Sequence, residues 1–99
     1  MTGDYKFECR LTVEDMLPVL NSVGPWIWHF RDSDSEGFYL ITSSDEGKTK
    51  LRIIEESPGY LLEITFYPTD TRPASRETLD DVLLKKLLPA IGAHQIRAV

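Results

Sequence analysis

Residues 49–67 read TKLRIIEESPGYLLEITFY, and this stretch decides the fold. Apolar and polar side chains largely alternate on both sides of Ser57-Pro58-Gly59, a pattern typical of two half-buried strands. Pro58-Gly59 suits the two central positions of a type II turn. A turn this short makes its two strands antiparallel neighbours. We therefore predict a hairpin with strands at Thr49–Glu56 and Tyr60–Tyr67.

Two more strands are predicted before this hairpin, at Trp26–Arg31 and Phe38–Ser43. The connectors 32–37 and 44–47 are short and rich in Asp, Ser and Gly, which favour turns. Because short connectors join antiparallel neighbours, the four strands are predicted to form a meander.

A helix is predicted on each side of the meander. Thr12 is a candidate N-cap residue, and the apolar residues of 13–23 recur at helical spacing. The second helix begins near Ser75 or Thr78, and Gly92 supplies its C-terminal stop.

Alternation also predicts a first strand in the segment 5–11 and a last strand at 94–99. The element order is then β-α-β-β-β-β-α-β, which gives an α+β fold of two layers. A mostly antiparallel sheet carries two helices on one face. The order is compatible with a variant of the ferredoxin-like arrangement that has an extra hairpin, an analogy that implies no function. Residues 1–99 are expected to form one domain, since single domains run to about 100–150 residues.

Composition and charge exclude several classes of protein. The chain carries 11 Lys+Arg against 16 Asp+Glu, a formal net charge of −5, which disfavours general nucleic-acid binding. No stretch approaches the roughly 20 apolar residues of a membrane span. Cys9 is the only cysteine and the N-terminus has no apolar signal segment, so we expect a reducing cytoplasmic location. Cys9 itself is a buried small side chain or a reactive nucleophile; alternation turns the adjacent Arg10 to the opposite side of the strand, which disfavours the nucleophile.

The two faces of the predicted meander differ in composition. The face assigned to the core, under the helices, carries Trp26, Trp28, Phe30, Phe38, Leu40, Leu51, Ile53, Tyr60, Leu62, Ile64 and Phe66. The second face carries Ile27, His29, Arg31, Tyr39, Ile41, Lys50, Arg52, Ile54, Leu61, Glu63, Thr65 and Tyr67.

The aliphatic residues of the second face, Ile27, Ile41, Ile54 and Leu61, form a candidate protein interface. A contiguous apolar patch rimmed by polar groups marks an interaction site more often than an ordinary wet surface. Two helices are too few to cover both faces. The face therefore pairs with a second copy to give a homodimer, binds a ligand or another protein, or is covered by a segment of the same chain.

The predicted turns also set a register across the second face. They place His29 opposite Tyr39, Tyr39 opposite Arg52 and Arg52 opposite Thr65, with Glu63 beside this row. His29, Tyr39, Arg52 and Glu63 form a candidate ligand site, because a His with a carboxylate could act as a general base beside an arginine anion clamp. The alternative is a cross-strand polar lattice with an Arg52–Glu63 ion pair and His29 stacked on Tyr39.

Three further motifs have a functional and a structural interpretation. Asp32, Asp34 and Glu36 before Gly37 resemble the front of a calcium loop, but Ser43 stands where that loop needs its bidentate acid. Trp26 and Trp28 alternate with Phe30, which suits either base stacking or core packing. The acidic turns form either a docking surface for a basic protein or a solvated rim; their residues are Asp32, Asp34, Glu36, Asp45, Glu46, Glu55 and Glu56.

Two functional hypotheses follow from these patterns. The first is a non-enzymatic protein-interaction module, homodimeric, whose acidic surface binds another protein. The second is a small-molecule-binding protein or small enzyme that uses the second face around His29 and Arg52. A structural subunit without its own activity is a third possibility. The chain has no Walker loop, dinucleotide-binding glycines, zinc-ligand spacing or nucleophile elbow, so we expect no cofactor, no metal site and no assigned catalytic residue.

Overall fold

The computed structural model describes residues 4–35, 37–44, 49–56, 59–66 and 79–99. These residues form six strands and two helices. The strands are β1 (Tyr5–Glu8), β2 (His29–Ser33), β3 (Gly37–Ser44), β4 (Thr49–Glu55), β5 (Tyr60–Phe66) and β6 (His94–Ala98). The first helix is α1 (Val13–Val23), and the second, α2, is described over residues 79–90.

The strands form one sheet in the order β2-β3-β4-β5-β1-β6, and every neighbouring pair is antiparallel. The predicted meander β2 to β5 is confirmed, and so is the α+β fold with a two-layer arrangement. The two terminal strands join beside β5. Without the β2–β3 hairpin the chain runs β-α-β-β-α-β, the ferredoxin-like element order.

Helix α1 begins and ends where its sequence predicts. The Thr12 hydroxyl accepts a hydrogen bond from the Asp15 backbone N–H at 3.2 Å, which caps the first turn. At the other end, Gly24 adopts a φ of 69° and donates its N–H to the Leu20 carbonyl at 3.2 Å. Pro18 lies within the helix without ending it.

Helix α2 widens into a π-helical turn over Leu83–Leu87 before an α-helical turn at Leu88–Ala90. The Leu88 N–H reaches back five residues to the Leu83 carbonyl. Leu83, Leu87 and Leu88 are all buried, so this geometry delivers three leucines to the core. Gly92 follows with a φ of 74° and donates to the Pro89 carbonyl at 3.0 Å, which confirms the predicted stop.

The core lies between the helices and one face of the sheet. Its largest fully buried side chains are Trp28, Phe7, Met16, Leu20, Leu40, Leu51, Ile53, Leu62, Ile64, Leu83, Leu87 and Leu88. The predicted core face is thus confirmed for its central strands. Trp26 and Phe30 are only partly buried. Phe38 is 50% exposed at the rim of the sheet. Its ring stacks on that of Phe30, with 5.3 Å between the ring centroids. Phe66 contributes its backbone to β5, and Tyr67 lies outside the described residues.

The start of β2 differs from the prediction, which placed it at Trp26. The side chain of Asn21 binds the backbone of Trp28, accepting from its N–H at 2.7 Å and donating to its carbonyl at 3.3 Å. Since these two backbone groups are bound to α1, the ladder with β3 begins one residue later, at His29.

The predicted register is wrong by two residues at each turn of the meander. His29 pairs with Ile41 rather than Tyr39, and Arg52 pairs with both Ile41 and Glu63 rather than with Tyr39 and Thr65. A shift of two residues keeps every side chain on its predicted face, because side chains alternate with a period of two. The predicted assignment of side chains to the two faces is therefore correct, while their cross-strand partners differ from the prediction.

The hairpin between β4 and β5 shows the cause of the shift. Glu55 pairs with Tyr60, and Glu56 donates its N–H to the Gly59 carbonyl at 2.8 Å. Gly59 therefore bonds across the hairpin and is not the central turn residue that we predicted. A Cβ at Gly59 would lie 2.6 Å from the Phe7 carbonyl oxygen of β1, so this close approach requires glycine.

Candidate functional site

The side of the sheet opposite the helices, here called the open face, is the candidate site. Strand alternation places on it Lys6, His29, Arg31, Tyr39, Ile41, Lys50, Arg52, Ile54, Leu61, Glu63, Thr65 and Arg97. In the part of the chain that the structure describes, neither helix packs on this face. The apolar side chains of both helices join the core cluster, which includes none of Tyr39, Ile41, Ile54 or Leu61.

The register aligns the open face into two neighbouring rows across the strands. The first row runs through His29, Ile41, Arg52 and Glu63. The second row runs through Arg31, Tyr39, Ile54, Leu61, Lys6 and Arg97. The second row thus has an apolar centre with a basic residue at each end.

Three of the four predicted ligand-site residues lie together. Arg52 binds Glu63 Oε1 through Nε at 2.8 Å and through a terminal nitrogen at 2.7 Å. The Arg52 guanidinium carbon also lies 5.4 Å from the centre of the Tyr39 ring, within the range of a cation–π interaction. The side chains of Arg52 and Glu63 are only 17% and 26% exposed, so water screens the pair less than it screens a surface ion pair.

His29 does not lie with the other three. It is on the edge strand β2, and Ile41 stands between it and Arg52 in the row. Because Arg52 already holds Glu63 and faces Tyr39, the geometry fits the polar lattice better than a general base beside an anion clamp. The predicted placement of His29 directly opposite Tyr39 is wrong, since Tyr39 pairs with Arg31 and Ile54.

The predicted interface residues also come together, with one exception. Tyr39, Ile54 and Leu61 are direct cross-strand neighbours, and Ile41 lies in the adjoining row. All four are half-buried. Ile27 is 64% exposed and precedes the first residue of β2, so it lies at the margin of the patch rather than within it.

The charge of the open face is opposite to that of the whole chain. Among the described residues it carries five of the basic side chains, Lys6, Arg31, Lys50, Arg52 and Arg97, against Glu63, Glu8 at the end of β1, and Glu56, which follows β4 and pairs with Lys6. The chain as a whole has a net charge of −5, so its remaining surface is strongly acidic. Lys6 and Arg97 were missed from the sequence, and Lys50 was placed on this face without a role. Their signal is that each is flanked by residues that face inward.

Three of the described acidic-turn residues lie outside the open face, whereas Glu56 contacts its Lys6. Asp32 is near the end of β2, Asp34 follows β2, and Glu55 is the last residue of β4, so all three are at one end of the meander. All three are exposed. Glu56 pairs with Lys6 at 3.1 Å. The predicted positions Glu36, Asp45 and Glu46 lie outside the described residues.

The calcium-loop motif has a polar-turn geometry at its described positions. The Ser35 backbone N–H donates to the Ser33 hydroxyl at 3.3 Å, and the two hydroxyls are 3.2 Å apart. Within the described ranges, no three His, Cys, Asp or Glu side chains lie close enough to hold a metal ion.

The remaining candidate residues have structural roles. The Cys9 thiol donates to the Ile91 carbonyl at 3.0 Å and packs against the core. Trp28 is buried under α1 and Trp26 packs partly against the same core, so neither offers a base-stacking platform on the open face.

Tyr60 is a core residue whose pKa is raised. Its hydroxyl donates to the Leu11 carbonyl at 2.8 Å. Burial raises the pKa of Tyr60 above its usual value of 10.0, and Coulombic interactions with Glu55 and then with Cys9 raise it further. The phenol therefore stays protonated in the folded protein through the neutral range.

Comparison with protein-family models, curated proteins and solved structures finds no significant match for this chain. In the described part of the chain, no helix has the length and apolar character that crossing a membrane requires. We therefore infer the function from the geometry of the open face.

Proposed function

We propose that this chain is a non-enzymatic protein-interaction module and that the open face is its contact surface. The observation that carries this proposal is the cross-strand cluster of Tyr39, Ile54 and Leu61 at the centre of a face that neither described helix covers. Protein interfaces combine an apolar centre with a polar rim, which is the pattern of this face. With a single cysteine to keep reduced, we further propose the cytoplasm as its compartment.

The small-molecule alternative has less support from the geometry. Ligand sites are concave and bring a few polar groups to one point. The open face is the surface of a sheet, its central arginine is held by Glu63, and His29 lies at the edge. These contacts stiffen the face and position its cations, which suits a docking surface.

Site-specific photo-cross-linking tests the proposed function. The variant Ile54→p-benzoylphenylalanine places the probe at the centre of the open face, in cells that produce the protein. The matched control, Leu84→p-benzoylphenylalanine, places it on the exposed side of α2, where Leu84 is 37% exposed. We expect a covalent adduct with a discrete polypeptide from position 54 alone. An absence of adducts from position 54, or the same adducts from both positions, would contradict the proposal.

A further inference from the structure

We infer that the partner of the open face is an acidic polypeptide segment that carries apolar side chains. This inference rests on the proposed function, because it names the chemistry of the partner for the same surface. It differs from the prediction of a basic partner for the acidic turns, which concerns the opposite charge and another part of the molecule.

Charge complementarity is the first argument for an acidic partner. Of the five basic side chains of the open face, Lys6 is paired with Glu56 and Arg52 with Glu63, so the charges that bear on a partner are those of Arg31, Lys50 and Arg97. Arg31 and Arg97 stand at the two ends of one row, and Lys50 stands beside Arg52 on β4. Arg31 and Arg97 are exposed, so their charges are available to a docked chain. Opposite charges across an interface steer association and set its specificity.

The aliphatic centre argues for a polypeptide rather than a nucleic acid. Single-stranded nucleic acids bind by stacking bases on several aromatic side chains. Among the residues that the structure describes, Tyr39 is the one Phe, Tyr or Trp side chain on the open face; Ile41 and Ile54 lie beside it, and Leu61 lies one strand further. Aliphatic side chains of this kind accept Leu, Ile or Val from a partner chain.

The same charges disfavour a second copy as the occupant. Packing two open faces against each other would bring together two surfaces on which basic residues outnumber acidic ones. Like charges in contact at an interface are costly. A homodimer through this face, which we predicted from the sequence, is therefore an outcome of the test and not the proposal.

The test uses a synthetic peptide in which Glu and Leu alternate. The row from Arg31 to Arg97 crosses six strands and is about 24 Å long, so a peptide of about ten extended residues spans it. Titration of the full-length protein is followed by amide and methyl chemical shifts and by calorimetry. The comparison probes, of equal length, are an all-Glu peptide, a Lys–Leu peptide and an oligothymidylate.

We expect the Glu–Leu peptide to bind, and its largest shifts to fall on β3, β4 and β5 residues of the open face. The double variant Arg31→Glu with Lys50→Glu should weaken this binding by at least about tenfold. The matched control, Lys85→Glu with Lys86→Glu on α2, changes the net charge equally and should weaken binding no more than about twofold, since screening limits charges beyond the contact.

Several outcomes would overturn the inference. Equal binding of the all-Glu peptide would show attraction by charge alone, and equal binding of the Lys–Leu peptide would show attraction without charge. Tighter binding of the oligothymidylate would assign the face to nucleic acid. A stable dimer that binds no peptide would assign it to a second copy. If position 54 cross-links to a polypeptide while the Glu–Leu peptide fails, the proposed function stands and this partner chemistry is wrong. If both fail, both are wrong.

Discussion

Arg52 organises the polar part of the open face. It contacts all three strands β3, β4 and β5 on that side, since it pairs with Ile41 and Glu63 and its guanidinium lies over the Tyr39 ring. An arginine suits this position because its planar guanidinium can donate to a carboxylate and face an aromatic ring together. The contact is partly shielded from water, so it contributes more than a fully exposed ion pair would.

A double-mutant cycle measures this contribution. The variants Arg52→Ala and Glu63→Ala, alone and combined, should give a coupling free energy of about 1 kcal/mol in the stability of the folded protein. The measurement is urea denaturation of the four proteins. The coupling should fall in concentrated salt. A coupling near zero at low salt would show that the pair adds nothing to stability.

Tyr60 gives a second prediction at the residue scale, through its buried hydroxyl. The variant Tyr60→Phe removes the hydrogen bond to the Leu11 carbonyl and leaves that acceptor without its partner. We expect a loss of about 1 kcal/mol in the free energy of unfolding near pH 8, because a buried hydrogen bond typically contributes that much.

The pKa shift of Tyr60 adds a pH dependence to this prediction. Folding raises its pKa above 10.0, so the folded state holds the proton more tightly than the unfolded state. The stabilisation from Tyr60 is fully present below pH 10.0 and is lost as the pH rises through the folded pKa. The stability gap between the natural protein and Tyr60→Phe should therefore shrink in denaturation series above pH 10.0. A gap that is constant or grows would contradict the assignment.

At the scale of elements, the faces of the sheet could be predicted from the sequence but the register could not. Alternation alone places Ile53 inward and Arg52 outward, and the structure agrees. Register depends on which residues each turn uses, and in the β4–β5 hairpin Pro58-Gly59 led us to centre the turn one residue too late, which shifts the pairing by two. The start of β2 was also missed, because the backbone of Trp28 is bound by Asn21 of α1, which lies seven residues earlier in the chain.

Gly59 tests the corrected hairpin. The variant Gly59→Ala adds a Cβ that would meet the Phe7 carbonyl oxygen at 2.6 Å, so β1 or the hairpin must shift. We expect destabilisation of about 1–3 kcal/mol, the range for overpacking at a close approach. The matched control is Gly37→Ala, where a Cβ has open space but φ is 73°, so backbone strain acts alone. If thermal unfolding shows Gly59→Ala to be harmless, the packing of β1 against the hairpin is wrong.

The whole molecule separates its charges in a way that the net charge conceals. The net charge of −5 led us to expect an acidic surface throughout and a basic partner. The register shows instead a basic open face. That distribution was not predictable from composition, because it depends on which strand each cation occupies and which way its side chain points. The apolar patch at Ile54 and Leu61 could be predicted, since alternation alone assigns both residues to the outward face.

A basic open face predicts that the isolated chain is a monomer. Light scattering after size exclusion near micromolar concentration should give a mass close to 11.3 kDa. Like charges on two open faces oppose pairing, and lowering the salt concentration should oppose it further. A mass of about twice the chain at low salt would contradict this prediction and would support burial of the face between two copies.

Ile53 and Ile54 provide the most direct test of the central claim, that the open face is uncovered in the isolated protein. They are adjacent on β4, with Ile53 in the core and Ile54 on the open face. The measurement is the broadening of their methyl NMR signals by a soluble, uncharged gadolinium chelate. We predict strong broadening of the methyl signals of Ile54 and Ile41 and little broadening of those of Ile53 and Ile64. Equal protection of Ile54 and Ile53 would show that something already covers this face and would contradict the account.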